Sequence, residues 1–295
     1  MNNLSSEIKL FFKCFKFHKM KMIIKVSSIF IIFLVAISCN TNPPTSPVIV
    51  PTGNIVVNLR VDNSDNINAE SKVVLIEDFA NVSCIPCVAS NKVIEAVSNS
   101  YGPLKIAIVK FPTDFPSPSD PFYLAAKLVC DERMDYYNII AAPTTIIDGQ
   151  NRLYSLTDSI TLKTAIDSRL STTSRFGLNV TGSFEGDYIV NIDVKFIDTT
   201  GINLNDLVIH TIITETDIEF ETPPGSNGET KFFDVTRLML PSINGTSVRQ
   251  LIDQGEFNYE FTDALLSGWN LDKINAVIFI QDINSKEVFQ TCITF

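Results

Sequence analysis

Val74-Leu-Ile-Glu-Asp-Phe-Ala-Asn-Val-Ser-Cys-Ile-Pro-Cys87 is the stretch on which the reading of this chain turns. It opens in a short apolar run, Lys72 to Phe79, the pattern of a strand buried on both faces. It closes in a Cys-x-x-Cys turn, after which residues from about Ile85 to Asn99 take helical spacing. A Cys-x-x-Cys alone is a weak signal. Set between a buried strand and the first turn of a helix, it acquires chemistry. Unpaired N–H groups and the positive end of the helix dipole favour a thiolate there. Cys84 is therefore expected to be the exposed nucleophile and Cys87 the more buried resolving thiol. Pro86, inside the first turn, forfeits no hydrogen bond and pre-sets the helical φ.

Working outward, Ile55 to Val61 alternates apolar and polar residues, as a half-buried strand does. Downstream, a second buried strand spans Lys105 to Phe111. A Pro-rich loop (Pro112, Pro116, Pro118) leads into a helix over 121–137. Thr144 to Ile147 reads as a strand with Asp148-Gly149 as its hairpin turn, and a last helix covers about Thr157 to Leu170. After Ser171 helical periodicity all but disappears. Apolar runs at 176–182, 188–196, 207–213, 231–238, 256–261, 276–281 and 288–295 are separated by turn clusters such as Pro223-Pro224-Gly225-Ser226-Asn227-Gly228. About seven short strands so punctuated predict a β-sandwich. The expected organisation is an α/β domain over 54–172 followed by an all-β sandwich over 174–295.

Three further residues sit where thioredoxin carries its own. Asp78, six positions before Cys84, occupies the place of the buried acid. Lys110, ending the next strand, stands where that acid has its lysine. Ala142-Pro143-Thr144 resembles the loop whose proline is cis and whose backbone faces the dithiol. The first domain thus resembles the thioredoxin family. The resemblance implies that Cys84, Cys87, Asp78, Lys110 and Pro143 serve disulfide exchange. It also implies that Ala142, Thr144, Ile85 and Pro86 meet the client. The sequence departs from the family too. Ser83 replaces the tryptophan, Ile85-Pro86 replaces Gly-Pro, and the Pro-rich loop is longer.

The N-terminus reads as an export signal. Lys13, Lys16, Lys19, Lys21 and Lys25 precede an apolar run from Val26 to Ile37, too short to span a bilayer comfortably. Ala36-Ile37-Ser38-Cys39 resembles a lipobox, with Cys39 acylated after removal of residues 1–38. The Pro-rich stretch 39–53 is then a tether. Residues 1–38 hold six Lys and one Glu, a net of +5, so cleavage takes the chain from −10 to −15. Such a chain is a poor partner for nucleic acid, and its membrane attachment is expected from the acyl chains alone. The whole mature chain resembles the Omp twenty-eight-related outer-membrane lipoproteins of Bacteroidota. The likeness rests on the lipobox, residues 74–87 and 142–149, Arg237-Leu-Met-Leu-Pro241, Phe279-Ile-Gln-Asp282 and Lys286-Glu-Val288. It implies an outer-membrane location and no particular reaction.

Other chemistries fall away on composition. His210 is the one histidine outside the signal, so no Ser-His couple can be assembled, and zinc at Cys84 and Cys87 would have to draw its other two ligands from His210, in the second domain, and the scattered Cys130 and Cys292. No phosphate-cradling Gly-rich loop is present, and no cofactor is implied. Cys130 lies among apolar neighbours and reads as a buried thiol, with a Cys130–Cys292 bridge as the alternative. Two functions stay open. One is an envelope oxidoreductase whose partners are protein thiols and disulfides. The other is a non-catalytic outer-membrane binding or adhesion lipoprotein that uses the thioredoxin fold as a scaffold, and for the Cys84–Cys87 pair itself the bland alternative is a structural staple.

Overall fold

The computed structural model describes residues 53–64 and 71–294. The export signal, Cys39 and most of the tether lie outside the described residues. The chain runs through β1 (Gly53–Val61), β2 (Val74–Ala80), α1 (Ile85–Tyr101), β3 (Ile106–Pro112), α2 (Pro121–Ala125), α3 (Lys127–Tyr137), β4 (Thr144–Ile147), β5 (Asn151–Tyr154) and α4 (Ser159–Leu170). It continues through β6 (Phe176–Phe184), β7 (Tyr188–Phe196), β8 (Leu207–Glu215), β9 (Ile218–Glu219), β10 (Lys231–Phe232) and β11 (Val235–Leu240). Last come β12 (Thr246–Ser247), α5 (Val248–Gln254), β13 (Glu256–Leu265), β14 (Ile274–Asp282) and β15 (Val288–Ile293).

The two continuous apolar runs are buried on both faces because helices cover both. β2 and β3 pair in parallel, Asp78 opposite Lys110, and β4 joins β2 antiparallel, Thr145 opposite Asp78. Val74, Ile76, Ile106 and Ile108 face α1 and α4 through Ile94, Val97, Leu162 and Ile166. Leu75, Phe79, Val109 and Phe111 face α2 and α3 through Tyr123, Cys130 and Met134. Strand order β3-β2-β4-β5, with helices on both sides, is thioredoxin-like. The β4–β5 turn has positive φ at both Asp148 and Gly149, as a two-residue hairpin of the primed type requires. A Cβ at Gly149 would also lie 1.7 Å from the Lys286 carbonyl oxygen. The expected helix over 121–137 is two helices, broken at Ala126, whose φ of −125° and ψ of 29° are not helical.

Two pairings correct the expected division at 173. First, β1 does not join the thioredoxin-like sheet. It lies between β13 and β7 in a separate four-stranded sheet, ordered β13-β1-β7-β6. Its alternation explains this. Ile55, Val57 and Leu59 are buried and the residues between them less so, which suits a sheet with one solvated face and not one covered twice. Second, β3 is not an edge. The long sheet continues from it as β11, β8, β14 and β15, with Lys110 N–H donating to the Asp234 carbonyl at 2.8 Å and Val235 opposite Lys110. An edge strand leaves a row of unpaired N–H and C=O groups, and β11 satisfies the end of this one. Two sheets share a core there, but one of them extends the thioredoxin-like sheet and the other takes in β1. That core joins Ile55, Val57, Val190 and Ile192 to Leu207, Ile209, Ile278 and Ile280.

Polar ties reinforce the union. Asp148 bonds Lys72 and Arg169, each at 2.9 Å, and Arg169 reaches Glu287 on the turn before β15 at 2.7 Å. A fragment of residues 54–172 is therefore expected to lack cooperative unfolding and fixed near-ultraviolet dichroism, because β1 has no partner in it and the end of β3 is bared. Residues 53–295 should show both. A sharp denaturation transition from the short fragment would return the boundary to 173.

Candidate functional site

Cys84 and Cys87 form a disulfide at the start of α1, with Cys84 as its N-cap and Pro86 in the first turn. The preceding turn is held from three directions. Asn81 Nδ2 donates to the carbonyls of Thr113 (2.6 Å) and Ser117 (2.9 Å), and Cys84 N–H donates to the Asn81 carbonyl at 2.9 Å. Val82 N–H donates to Asp120 Oδ2 at 2.9 Å, while Asp120 Oδ1 caps α2 through the N–H groups of Phe122 and Tyr123. The Pro-rich insertion is thus the clamp of the dithiol turn.

The third hold overturns an expectation. Cys84 was expected to be exposed, yet it is only 2% accessible, and Cys87 is wholly buried. The strap 223–229, from the loop between β9 and β10, lies against the turn. Asn227 N–H donates to the Val82 carbonyl at 3.1 Å and Ser226 N–H to Ser83 Oγ at 3.3 Å. Gly225 permits this approach, since a Cβ there would lie 2.3 Å from the Val82 carbonyl oxygen. Ile85, by contrast, is 64% exposed and Pro86 is exposed beside it.

Asp78 is fully buried on the face of β2 that meets α1. Thr145 Oγ1 donates to its Oδ1 at 3.0 Å, and Lys110 Nζ stands 4.0 Å from its Oδ2, which has no hydrogen-bond partner among the described residues. Burial raises its carboxyl above the usual range. Lys110 and Thr145 offset part of the rise and Glu229 adds to it. Lys110 instead donates at 2.7 Å to Asn91 Oδ1, on α1 one turn beyond Cys87. The structure therefore brings Asp78, Lys110 and the turn bearing Cys87 together. The Ala142–Pro143 bond is cis, and β4 starts beyond it with Thr144 opposite Phe79, at the end of β2 from which the dithiol turn emerges. Pro143 and Thr144 are buried, and Thr144 Oγ1 is turned back to the Ala141 carbonyl at 2.6 Å, leaving Ala142 half-buried.

Cys130 is a buried thiol without a bridge to Cys292, and burial pushes its pKa up, so it is no second nucleophile. Among the described residues no cluster of three His, Cys, Asp or Glu could hold a metal. Sequence reasoning missed Asn81, Asn91, Asp120, Glu229 and Asp234. Asp120 was legible: an Asp before Pro121 at a helix start is a cap signal. Glu229 and Asp234 carried no local signal.

No protein-family model and no curated protein sequence matches the chain. Among solved structures, HBP35 of Porphyromonas gingivalis superposes over 77% of this chain and 76% of its own, at 13% identity and a TM-score of 0.59. That likeness speaks for the fold alone. A protein of Agrobacterium tumefaciens covers 76% of this chain and 95% of its own at 14% identity, with a TM-score of 0.49. A thioredoxin of Malassezia sympodialis covers 38% and 91% at 20% identity, with a TM-score of 0.25. These two superpose too loosely to carry an argument. No helix among the described residues is long and apolar enough to cross a membrane.

Proposed function

We propose that this protein exchanges disulfides with proteins of the cell envelope through Cys84 and Cys87, held at the outer membrane by an acylated Cys39. The observation that carries the reading is the buried Asp78 carboxyl, with one oxygen unpartnered, on the strand that leads into a disulfide at a helix start. A staple needs no such acid, whose burial destabilises the fold unless the group stays protonated. In exchange the acid has a use. A client thiolate attacks Cys84 Sγ, the Cys84–Cys87 bond breaks, and the proton of Asp78 can pass to the departing Cys87 thiolate. A second client thiol then attacks the client sulfur of the mixed disulfide and releases Cys84. The client leaves with a disulfide and this protein with two thiols. The reverse sequence reduces a client. The Cys39 anchor rests on the lipobox and the acidic mature chain.

One observation favours the second reading, a scaffold with a staple: Cys84 is almost inaccessible, in a turn against which the strap is bonded. Trapping separates the two. Cys87→Ser should accumulate reductant-sensitive adducts on Cys84 in envelope extracts, and Cys84→Ser should give none. Adding Gly225→Ala, which dislodges the strap, should increase the yield. If both cysteine variants merely lose stability and form no adducts even with the strap displaced, the pair is a staple.

A further inference from the structure

Glu229 closes the strap and turns inward. Its Oε1 and Oε2 accept from Asn91 Nδ2 at 2.9 and 3.2 Å, and Oε2 also accepts from Asn227 Nδ2 at 2.6 Å. Its own N–H donates to Asn227 Oδ1 at 2.9 Å, which fixes the carboxylate in place. A carboxylate only accepts and an ammonium only donates. Asn91 must therefore turn its amide nitrogen to Glu229 and its oxygen to Lys110, as the 2.7 Å bond from Lys110 Nζ shows. The lysine's short contact is with that amide, and it stays 4.0 Å from Asp78.

We propose that Glu229 is a positioning residue: acting through Asn91, it holds Lys110 back from Asp78 and so keeps that buried acid able to carry a proton. The use of that proton rests on the exchange reading; the geometry does not. The surroundings are mixed in charge. A cavity of about 330 Å³ between α1 and residues 229–235 is lined by Lys110 and Glu229 together with Asp234, Asp120, Glu95, Lys92 and Lys231. Asp234, next to Lys110 in the sheet, is itself lifted by burial to about 6, with Lys110 offsetting part of that rise. Asp234 thus draws Lys110 from a side other than Asp78. Glu229 adds its own field, which also favours a protonated Asp78. Neither Glu229 nor Asn91 is placed at the reacting sulfurs, so both act at one remove.

The test reads Asp78 directly, in the oxidised mature protein with no client present. Carboxyl carbon-13 resonances are followed against pH, and Asp78→Asn identifies the signal. Glu229→Gln removes the charge and leaves one acceptor where there were two. Asn91→Ala keeps the charge and cuts the link. Both should lower the Asp78 midpoint, Glu229→Gln by about one pH unit, a tenfold loss of proton affinity. An unmoved midpoint in either variant overturns the proposal, because a pure field effect would spare Asn91→Ala and a pure packing role would spare both. Near-ultraviolet dichroism confirms that each variant is folded, and either one suffices to refute. Shifted midpoints in a protein whose Cys87→Ser form traps nothing would sink the exchange reading and leave this inference standing.

Discussion

Arg133→Ala should destabilise the protein by about 3–5 kcal/mol, the loss typical of breaking a buried ion pair from one side. Glu77 is fully buried at the centre of β2, and Arg133 on α3 is almost as deep. Arg133 Nε donates to Glu77 Oε1 at 2.6 Å, and its terminal nitrogen donates to Gln281 Oε1 on β14 at 2.9 Å. Tyr137 OH completes the set, donating to Glu77 Oε2 at 2.6 Å. The guanidinium lies over the rings of Tyr136, Tyr137 and Phe279 at 4.7, 4.8 and 5.4 Å. One side chain thus ties α3 to strands from both parts of the chain. Its removal strands a carboxylate where water does not reach. Urea denaturation reads the loss. A double variant, Arg133→Met with Glu77→Leu, should recover most of it, since removing both charges removes the desolvation penalty as well. A single-variant loss below about 1 kcal/mol, the range of surface pairs, would show that Glu77 finds another partner.

Asp78→Asn should move stability and activity in opposite directions. The folded carboxyl titrates above its unfolded value of about 3.9, because burial disfavours the charged form. Below both values the acid is protonated in either state and contributes no linkage. As pH rises through the window between them, only the unfolded chain ionises freely, and stability is lost. Above the folded value the loss is complete. The Asn variant has no such titration, so it should be the more stable protein at neutral pH, with the advantage vanishing below about pH 4. Exchange with a model disulfide near neutral pH should meanwhile slow by about a hundredfold, the lower range for losing a positioned acid or base. Denaturation at several pH values and stopped-flow exchange check both halves. Gained stability with an unchanged exchange rate would make Asp78 an idle burial and remove the main support for the exchange reading.

The sequence by itself determined a good deal here. Short-range periodicity and turn chemistry located β2, α1, β3 and the β4–β5 hairpin, and Asp78, Cys87 and Lys110 lie within them. Asp78 and Lys110 were legible only through the resemblance to thioredoxin, and the sheet does place them opposite one another. The longer of the later strands were legible too, but β9, β12 and α5 were not expected, and Phe233 and Asp234, the latter at positive φ, divide one expected strand into β10 and β11. What only the tertiary structure decided was which strands share a sheet and what crosses the dithiol. β1 shows that its alternation means one dry face, yet an apolar layer from any part of the chain dries it equally well. The strap shows the same limit more sharply. Glu229 meets Asn91 across 138 residues of chain, through a hydrogen bond that leaves no trace in the spacing of either neighbourhood. Local patterns record whether a side chain needs a partner. The partner itself is chosen by how the strands between them pair, and here that pairing puts a loop of the second half against the turn that carries Cys84.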